Sequence, residues 1–118
     1  MGNPVVEFQI LSSKPDETAN FYWQLFGWTL NSANPMNYRR INTGSAEGIQ
    51  GGIWPAPPEA GTFVQLFIAV DDVAASVHSA TALGARVLVP PTPLPEGGEL
   101  AVLHDPAGMS FRVYRRSR

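Results

Sequence analysis

Apolar and polar residues alternate from Val5 to Leu11: Val6, Phe8 and Ile10 on one side, Glu7 and Gln9 on the other. A period of two predicts a half-buried strand. Ser12 and Ser13 follow as candidate helix N-caps. Pro15 suits a first helical turn, and Asp16 and Glu17 complement the helix dipole. Tyr22, Leu25 and Phe26 keep helical spacing, and Gly27 is placed to end the helix in the left-handed conformation. Short strands are expected at Trp28–Leu30 and Tyr38–Thr43, with Asn34-Pro35 in the turn between them, and a fourth at Ile49–Trp54. Pro55, Pro57, Pro58 and Gly61 then interrupt regular structure.

The order then recurs. Phe63–Val70 reads as a strand. Asp71 or Asp72 caps a helix bearing Val73, Val77, Ala80 and Leu83 on one face, closed by Gly84. Arg86–Val89 reads as a strand, Pro90–Gly98 as a rigid loop, and Leu100–His104 and Ser110–Tyr114 as the last two strands. Asp105-Pro106-Ala107-Gly108 between them has type I turn chemistry. The copies align at spacings of 58 positions (Glu7 to Gln65), 57 (Gly27 to Gly84) and 60 (Ile53 to Val113). Such self-similarity marks a duplicated supersecondary unit.

The expected fold is α+β. Two βαβββ modules, about 4–55 and about 62–116, form a curved mixed sheet around a cleft, with helices on the outer face. One domain of 1–118 suits a chain of 118 residues. The helices are expected to bury Tyr22, Leu25, Phe26, Val73, Val77 and Leu83. Eleven Gly and eleven Pro, clustered between apolar runs, fit many short strands.

Composition narrows the function. A net charge of −2 gives no reason to expect nucleic acid as the partner, and the basic residues Arg115, Arg116 and Arg118 read as a solvated end. The absence of cysteine excludes disulfides, thiolate metal sites and cysteine nucleophiles. No apolar run approaches the roughly 20 residues of a spanning helix, and no signal peptide precedes the first strand. A soluble cytoplasmic protein without membrane partners is the expectation.

Several segments together carry a family resemblance. Val5-Val6-Glu7-Phe8-Gln9-Ile10 followed by Pro15-Asp16-Glu17-Thr18-Ala19-Asn20-Phe21-Tyr22-Trp23-Gln24-Leu25-Phe26-Gly27-Trp28 resembles the opening of vicinal oxygen chelate proteins. So do Val70-Asp71-Asp72-Val73, Ala82-Leu83-Gly84-Ala85 and Ala101-Val102-Leu103-His104-Asp105-Pro106-Ala107-Gly108. That superfamily includes glyoxalase I, bleomycin-resistance proteins and extradiol dioxygenases. The resemblance implies paired βαβββ modules, a ligand on a concave sheet and often a homodimer. It also implies four metal ligands, from the first and fourth strand of each module. Those positions fall here at Glu7, near Gly52, at Gln65 and at Arg112. Gly52 has no side chain, Arg112 is a fixed cation, and Gln65 is a poor ligand. No metal and no cofactor are therefore expected, and Glu7 and Arg112 are expected to pair with each other instead.

Alternation assigns the faces. With Phe8, Ile10, Leu66, Ile68, Ile53 and Val113 under the helices, Glu7, Gln9, Gln50, Trp54, Gln65, Phe67, Arg112 and Tyr114 point into the cleft. Tyr38 and Arg40, with Asn42, join them if Ile41 faces the helix. This set has the composition of a small-molecule site. Gly51-Gly52 reads as a close backbone approach, and His78 and His104 as surface groups. The functional reading is a metal-independent small-molecule binder of the bleomycin-resistance type. Alternatives are a glyoxalase-like lyase, isomerase or hydrolase with Glu7 as general base and Arg112 stabilising an oxyanion, or an interaction module without a ligand.

Overall fold

The computed structural model describes residues 2–33, 38–95 and 97–117; the turn expected at Asn34-Pro35 lies outside them. Ten elements follow one another: β1 (Val5–Ser12), α1 (Pro15–Phe26), β2 (Thr29–Asn31), β3 (Arg39–Asn42), β4 (Gln50–Pro55), β5 (Phe63–Ala69), α2 (Val73–Ala82), β6 (Arg86–Pro93), β7 (Glu99–His104) and β8 (Ser110–Arg115). The architecture is α+β. No helix among the described residues is long and apolar enough to cross a membrane.

The chain forms two units, one of residues 7–64 and one of residues up to Val6 together with those from Gln65 onward. Within the first, the strand order is β2-β3-β4-β1; within the second, β5-β8-β7-β6. In both, the first and fourth strands run parallel and the remaining pairs are antiparallel. The duplication expected from the spacings is therefore present in the hydrogen bonding. Gln9 lies opposite Gly52 and Leu11 opposite Trp54, as Phe67 lies opposite Arg112 and Ala69 opposite Tyr114.

Each helix covers one face of its own strands. In the first unit, Ile10, Ile41 and Ile53 are buried against Ala19 and Tyr22 of α1, with Phe8, Trp28 and Leu30 around them. In the second, Val73, Ala101, Leu103 and Val113 are buried with Val77 and Ala80 of α2. Asp72 caps α2 by accepting a hydrogen bond from the Ala75 N–H at 2.9 Å. Gly27 ends α1 at φ 74°, a conformation a side chain would strain. Asp105 Oδ1 accepts from the Ala107 and Met109 N–H groups and fixes the last turn.

Four expectations are corrected. First, neither Ser12 nor Ser13 caps α1. Lys14 holds that position without a side-chain bond, while Ser12 ends β1 and Ser13 turns to Thr62. Second, Pro90–Pro93 continues β6 and is not a loop. β6 pairs with β7 alone among the described strands, so prolines lacking N–H groups are tolerated, and register shifts around Val89 absorb them. Third, Leu25, Phe26 and Leu83 are exposed (57%, 59% and 79%). The half-buried stripe of α1 runs through Pro15, Thr18, Ala19 and Tyr22, and Phe26 reaches the core's edge through ring contacts with Tyr22 and Trp28. Leu83 lies past the last turn of α2. Fourth, Leu66 is exposed, because α2 packs over β6, β7 and β8 and leaves β5 uncovered.

Truncating Ile53, which has no exposed surface, should cost roughly 2–5 kcal/mol by loss of packing and creation of a cavity. Leu83→Ala should stay within about 0.5 kcal/mol. Urea unfolding of the two variants checks the burial pattern.

Candidate functional site

β-Strand alternation places Glu7, Gln9 and Trp54 on the face of the first unit opposite the α1-packed isoleucines. Burial of Ile41 (3% exposed) turns Arg40 to that same face. Gln9 on β1 and Arg40 on β3 both pair in register with Gly52 on β4. Above Gly52 there is no room for a side chain. A Cβ there would meet the Tyr38 ring at 2.9 Å and Gln9 Oε1 at 3.0 Å. Gly51 is equally tight, its Cβ position lying 2.5 Å from the Phe8 carbonyl oxygen, so the close approach expected of this glycine pair is present.

Five side chains close a ring around that position. The Trp54 indole N–H donates to Gln9 Oε1 at 2.7 Å. Gln9 Nε2 donates to Glu7 Oε1 at 2.9 Å. Glu7 Oε2 lies 3.9 Å from Arg40 Nη2, and Arg40 Nη1 donates to the Tyr38 hydroxyl at 3.2 Å. Tyr38 completes the circuit by stacking on Trp54, with centroids 4.5 Å apart and planes 8° from parallel. Burial pushes the Glu7 carboxyl above its ordinary value, a desolvation cost that outweighs the opposing effects of Arg40 and of the Gln9 hydrogen bond. Arg40 keeps its side chain 58% exposed.

The second unit carries a different set. Gln65, Ser110 and Arg112 are buried. Gln65 Nε2 donates to Ser110 Oγ at 2.5 Å, which turns Oε1 toward Arg112, whose Nε donates to it at 2.6 Å. Phe67 and Tyr114 stack with centroids 5.0 Å apart.

The sequence expectations divide accordingly. Glu7, Gln9, Tyr38, Arg40 and Trp54 are brought together in one unit; Gln65, Phe67, Arg112 and Tyr114 lie in the other. Glu7 takes Gln9 and Arg40 as partners, and Arg112 takes Gln65. Gln50 is committed elsewhere: it accepts from the Thr43 N–H and donates to the Ser45 carbonyl, pinning the β3–β4 loop. Ser110 was missed, although it stands two residues before Arg112 and so shares its face. His78 is exposed; His104 is half-buried, with Nδ1 3.1 Å from Arg86 Nη2.

The four positions that the superfamily resemblance assigns to metal ligands do not form a donor set. The Tyr38 ring and the Gln9 amide fill the space at Gly52, and Gln65 is bonded to the Arg112 guanidinium. No cluster of three or more His, Cys, Asp or Glu residues suited to a metal occurs among the described residues. A divalent ion needs several neutral or anionic donors, and these positions supply one carboxylate and one amide.

Two β-α-β-β-β units of identical strand order, each with a polar and aromatic strand face, define a duplicated-module α+β protein. The chain belongs to the glyoxalase-like family, whose domain model matches residues 6–114, and thereby to the vicinal oxygen chelate superfamily. It is 36% identical over 110 residues to the protein named "Putative glyoxylase CFP32" in Mycobacterium bovis and Mycobacterium tuberculosis. That match covers 91% of this chain but 42% of the mycobacterial proteins, so the chain spans about two-fifths of their length. A hypothetical protein from Bacillus halodurans has the same fold, with a TM-score of 0.71, 14% identity, and coverage of 100% of this chain and 97% of that one. So has methylmalonyl-CoA epimerase from Streptomyces coelicolor, with a TM-score of 0.64, 18% identity and 97% coverage of both chains.

Two measurements test this geometry. Gly52→Ala should displace Tyr38, costing about 1–3 kcal/mol by overpacking. The Trp54 indole resonance should shift in a proton–nitrogen NMR spectrum while those of Trp23 and Trp28 stay in place. The raised Glu7 value favours the neutral carboxyl in the folded state. Its stabilising contribution is therefore complete below the ordinary value of 4.5 and is lost as pH rises through the higher folded value. Paired thermal melts should show Glu7→Gln gaining on the native protein between pH 4.5 and neutrality; a constant difference would contradict the assignment.

Proposed function

We propose that this chain binds a small organic molecule without a resident metal, on the strand face carrying Glu7, Gln9, Tyr38, Arg40 and Trp54. The observation that supports this most is the closed ring of five side chains. Two stacked aromatics offer a flat apolar surface to a planar group. Beside them stand a half-buried carboxyl and an exposed guanidinium that answer polar or anionic substituents. Positions that hold metal ligands in the resembled superfamily are occupied by side-chain contacts, which favours recognition by stacking and hydrogen bonding over coordination. Sequestration of a planar compound, as in bleomycin-resistance proteins, is the form of binding this chemistry suits. A soluble cytoplasmic setting is consistent with that role.

A second reading is favoured by the Glu7 carboxyl itself. A carboxylate whose pKa is raised toward neutrality is a stronger base, so Glu7 is equipped to take a proton from a bound carbon acid in lyase or isomerase chemistry. The naming of the mycobacterial relatives as a glyoxylase points the same way.

Thermal-shift screening of planar, anionic and carbonyl compounds separates the readings. A ligand at 100 times its Kd should add about 2.7 kcal/mol of stability. Binding without turnover, lost in Trp54→Ala and weakened in Arg40→Ala, is the expected result, with elemental analysis showing far less than one metal ion per chain. Turnover abolished by Glu7→Gln with binding retained establishes the enzyme. A stoichiometric metal held by Glu7 and Gln65 would overturn metal independence.

A further inference from the structure

Tyr38 occupies the candidate site in the way a bound ligand would. Its phenol ring stacks on the Trp54 indole, with centroids 4.5 Å apart and planes 8° from parallel. One ring edge lies over Gly52, where a Cβ would meet Cε2 at 2.9 Å and Cδ2 at 3.1 Å. The hydroxyl oxygen accepts from Arg40 Nη1 at 3.2 Å, and the Arg40 guanidinium carbon stands 6.0 Å from the ring centroid. These contacts outline a seat of definite chemistry: an indole face for a six-membered ring, bare backbone under one edge, and a cation for an oxygen at the far end. Tyr38 is a phenol held in that seat by its own chain.

The seat and its occupant are attached differently. Trp54 of β4, Gln9 of β1 and Arg40 of β3 all stand within paired strands. Tyr38 stands one residue before β3, whose pairing with β4 begins at Arg39. Its ring can therefore turn out of the seat about its side-chain torsions without breaking a strand pair. The Trp54 indole N–H donates to Gln9 Oε1 at 2.7 Å, which holds the indole plane when the ring over it leaves.

We propose, on the strand-face binding reading above, that Tyr38 is an internal competitor for this site and that the ligand displacing it is a para-substituted phenol. The ligand ring takes the place of the Tyr38 ring on Trp54 and over Gly52. Its oxygen accepts the Arg40 hydrogen bond, and its para substituent takes the direction of the Tyr38 Cβ. Arg40 is 58% exposed, so water can stand in for the oxygen, and the preference for a phenol over the same ring without its hydroxyl is about tenfold. Competition has its own signature. An apparent Kd is the intrinsic value divided by the fraction of molecules whose site is open. With the seat open in about one molecule in ten, removing the Tyr38 ring tightens binding about tenfold.

p-Cresol, which reproduces the tyrosine side chain from Cβ outward, is the probe, and toluene is its control. Calorimetric titration should show p-cresol binding the native protein, binding Tyr38→Ala about tenfold more tightly, and losing that gain when Arg40→Ala is added. Toluene should bind Tyr38→Ala about tenfold more weakly than p-cresol does. In the native protein, proton NMR cross-peaks between the Tyr38 and Trp54 rings should give way at saturation to cross-peaks between p-cresol and Trp54. Should Tyr38→Ala fail to fold, those cross-peaks decide alone. Unchanged or weaker binding in Tyr38→Ala overturns the proposal. So does a native protein that p-cresol does not bind up to its solubility, or a Tyr38–Trp54 stack that persists with p-cresol bound. If p-cresol fails while another planar compound binds the native protein and is lost in Trp54→Ala, the binding reading stands and competition by Tyr38 alone is overturned. If no compound binds, both fall.

Discussion

The missing side chain at Gly52 is the constraint on which the arrangement of the candidate site depends. In register it stands between Gln9 and Arg40, and any Cβ there would collide with Tyr38 and with the Gln9 amide. Because the position is empty, Tyr38 can lie over β4 and stack on Trp54. The Trp54 indole then reaches Gln9, which orients toward Glu7, and Arg40 bridges Glu7 to the Tyr38 hydroxyl. Backbone packing, side-chain order and the electrostatics of one carboxyl are joined through a single glycine.

The two units show how one topology diverges in chemistry. Their strand registers are equivalent, so Glu7 corresponds to Gln65, Gly52 to Arg112 and Trp54 to Tyr114. In one unit the fourth strand offers space and the first a carboxyl. In the other the fourth strand offers a buried guanidinium and the first an amide that holds it. Each pair is internally satisfied by hydrogen bonding, which is what burial of such groups requires. Duplication supplied the frame, and different residues at matched positions build a separate local network in each unit.

Much of the fold was legible in the chain. Alternation at Val5–Leu11, the glycine stop at Gly27, the aspartate cap before Val73 and the near-constant spacing between copies each reflect local physics that needs no distant partner. The faces of β1, β4 and β8 followed from the same period of two. The misreadings came where tertiary context decides. Leu25, Phe26 and Leu66 have the spacing of core residues, but which stripe of a helix is buried, and which strands a helix covers, depends on how that helix lies on its sheet. Pro90–Pro93 reads as a breaker, yet a strand paired on one side tolerates it.

For the site, the residue inventory came from sequence and the connectivity from structure. Period two and the duplicated frame determined that Glu7, Gln9, Trp54, Gln65 and Arg112 would share strand faces away from the helices, because side-chain direction in a strand is set by the backbone. Which of those groups meet was decided by the register of β4 against β1 and β3. That register brings residues of three strands into one ring and turns Gln50 aside into a loop, while the register of β5 against β8 ties Gln65 to Ser110 and Arg112. Hydrogen bonds between side chains act over about 3 Å, and only the paired strands place donors and acceptors at that range.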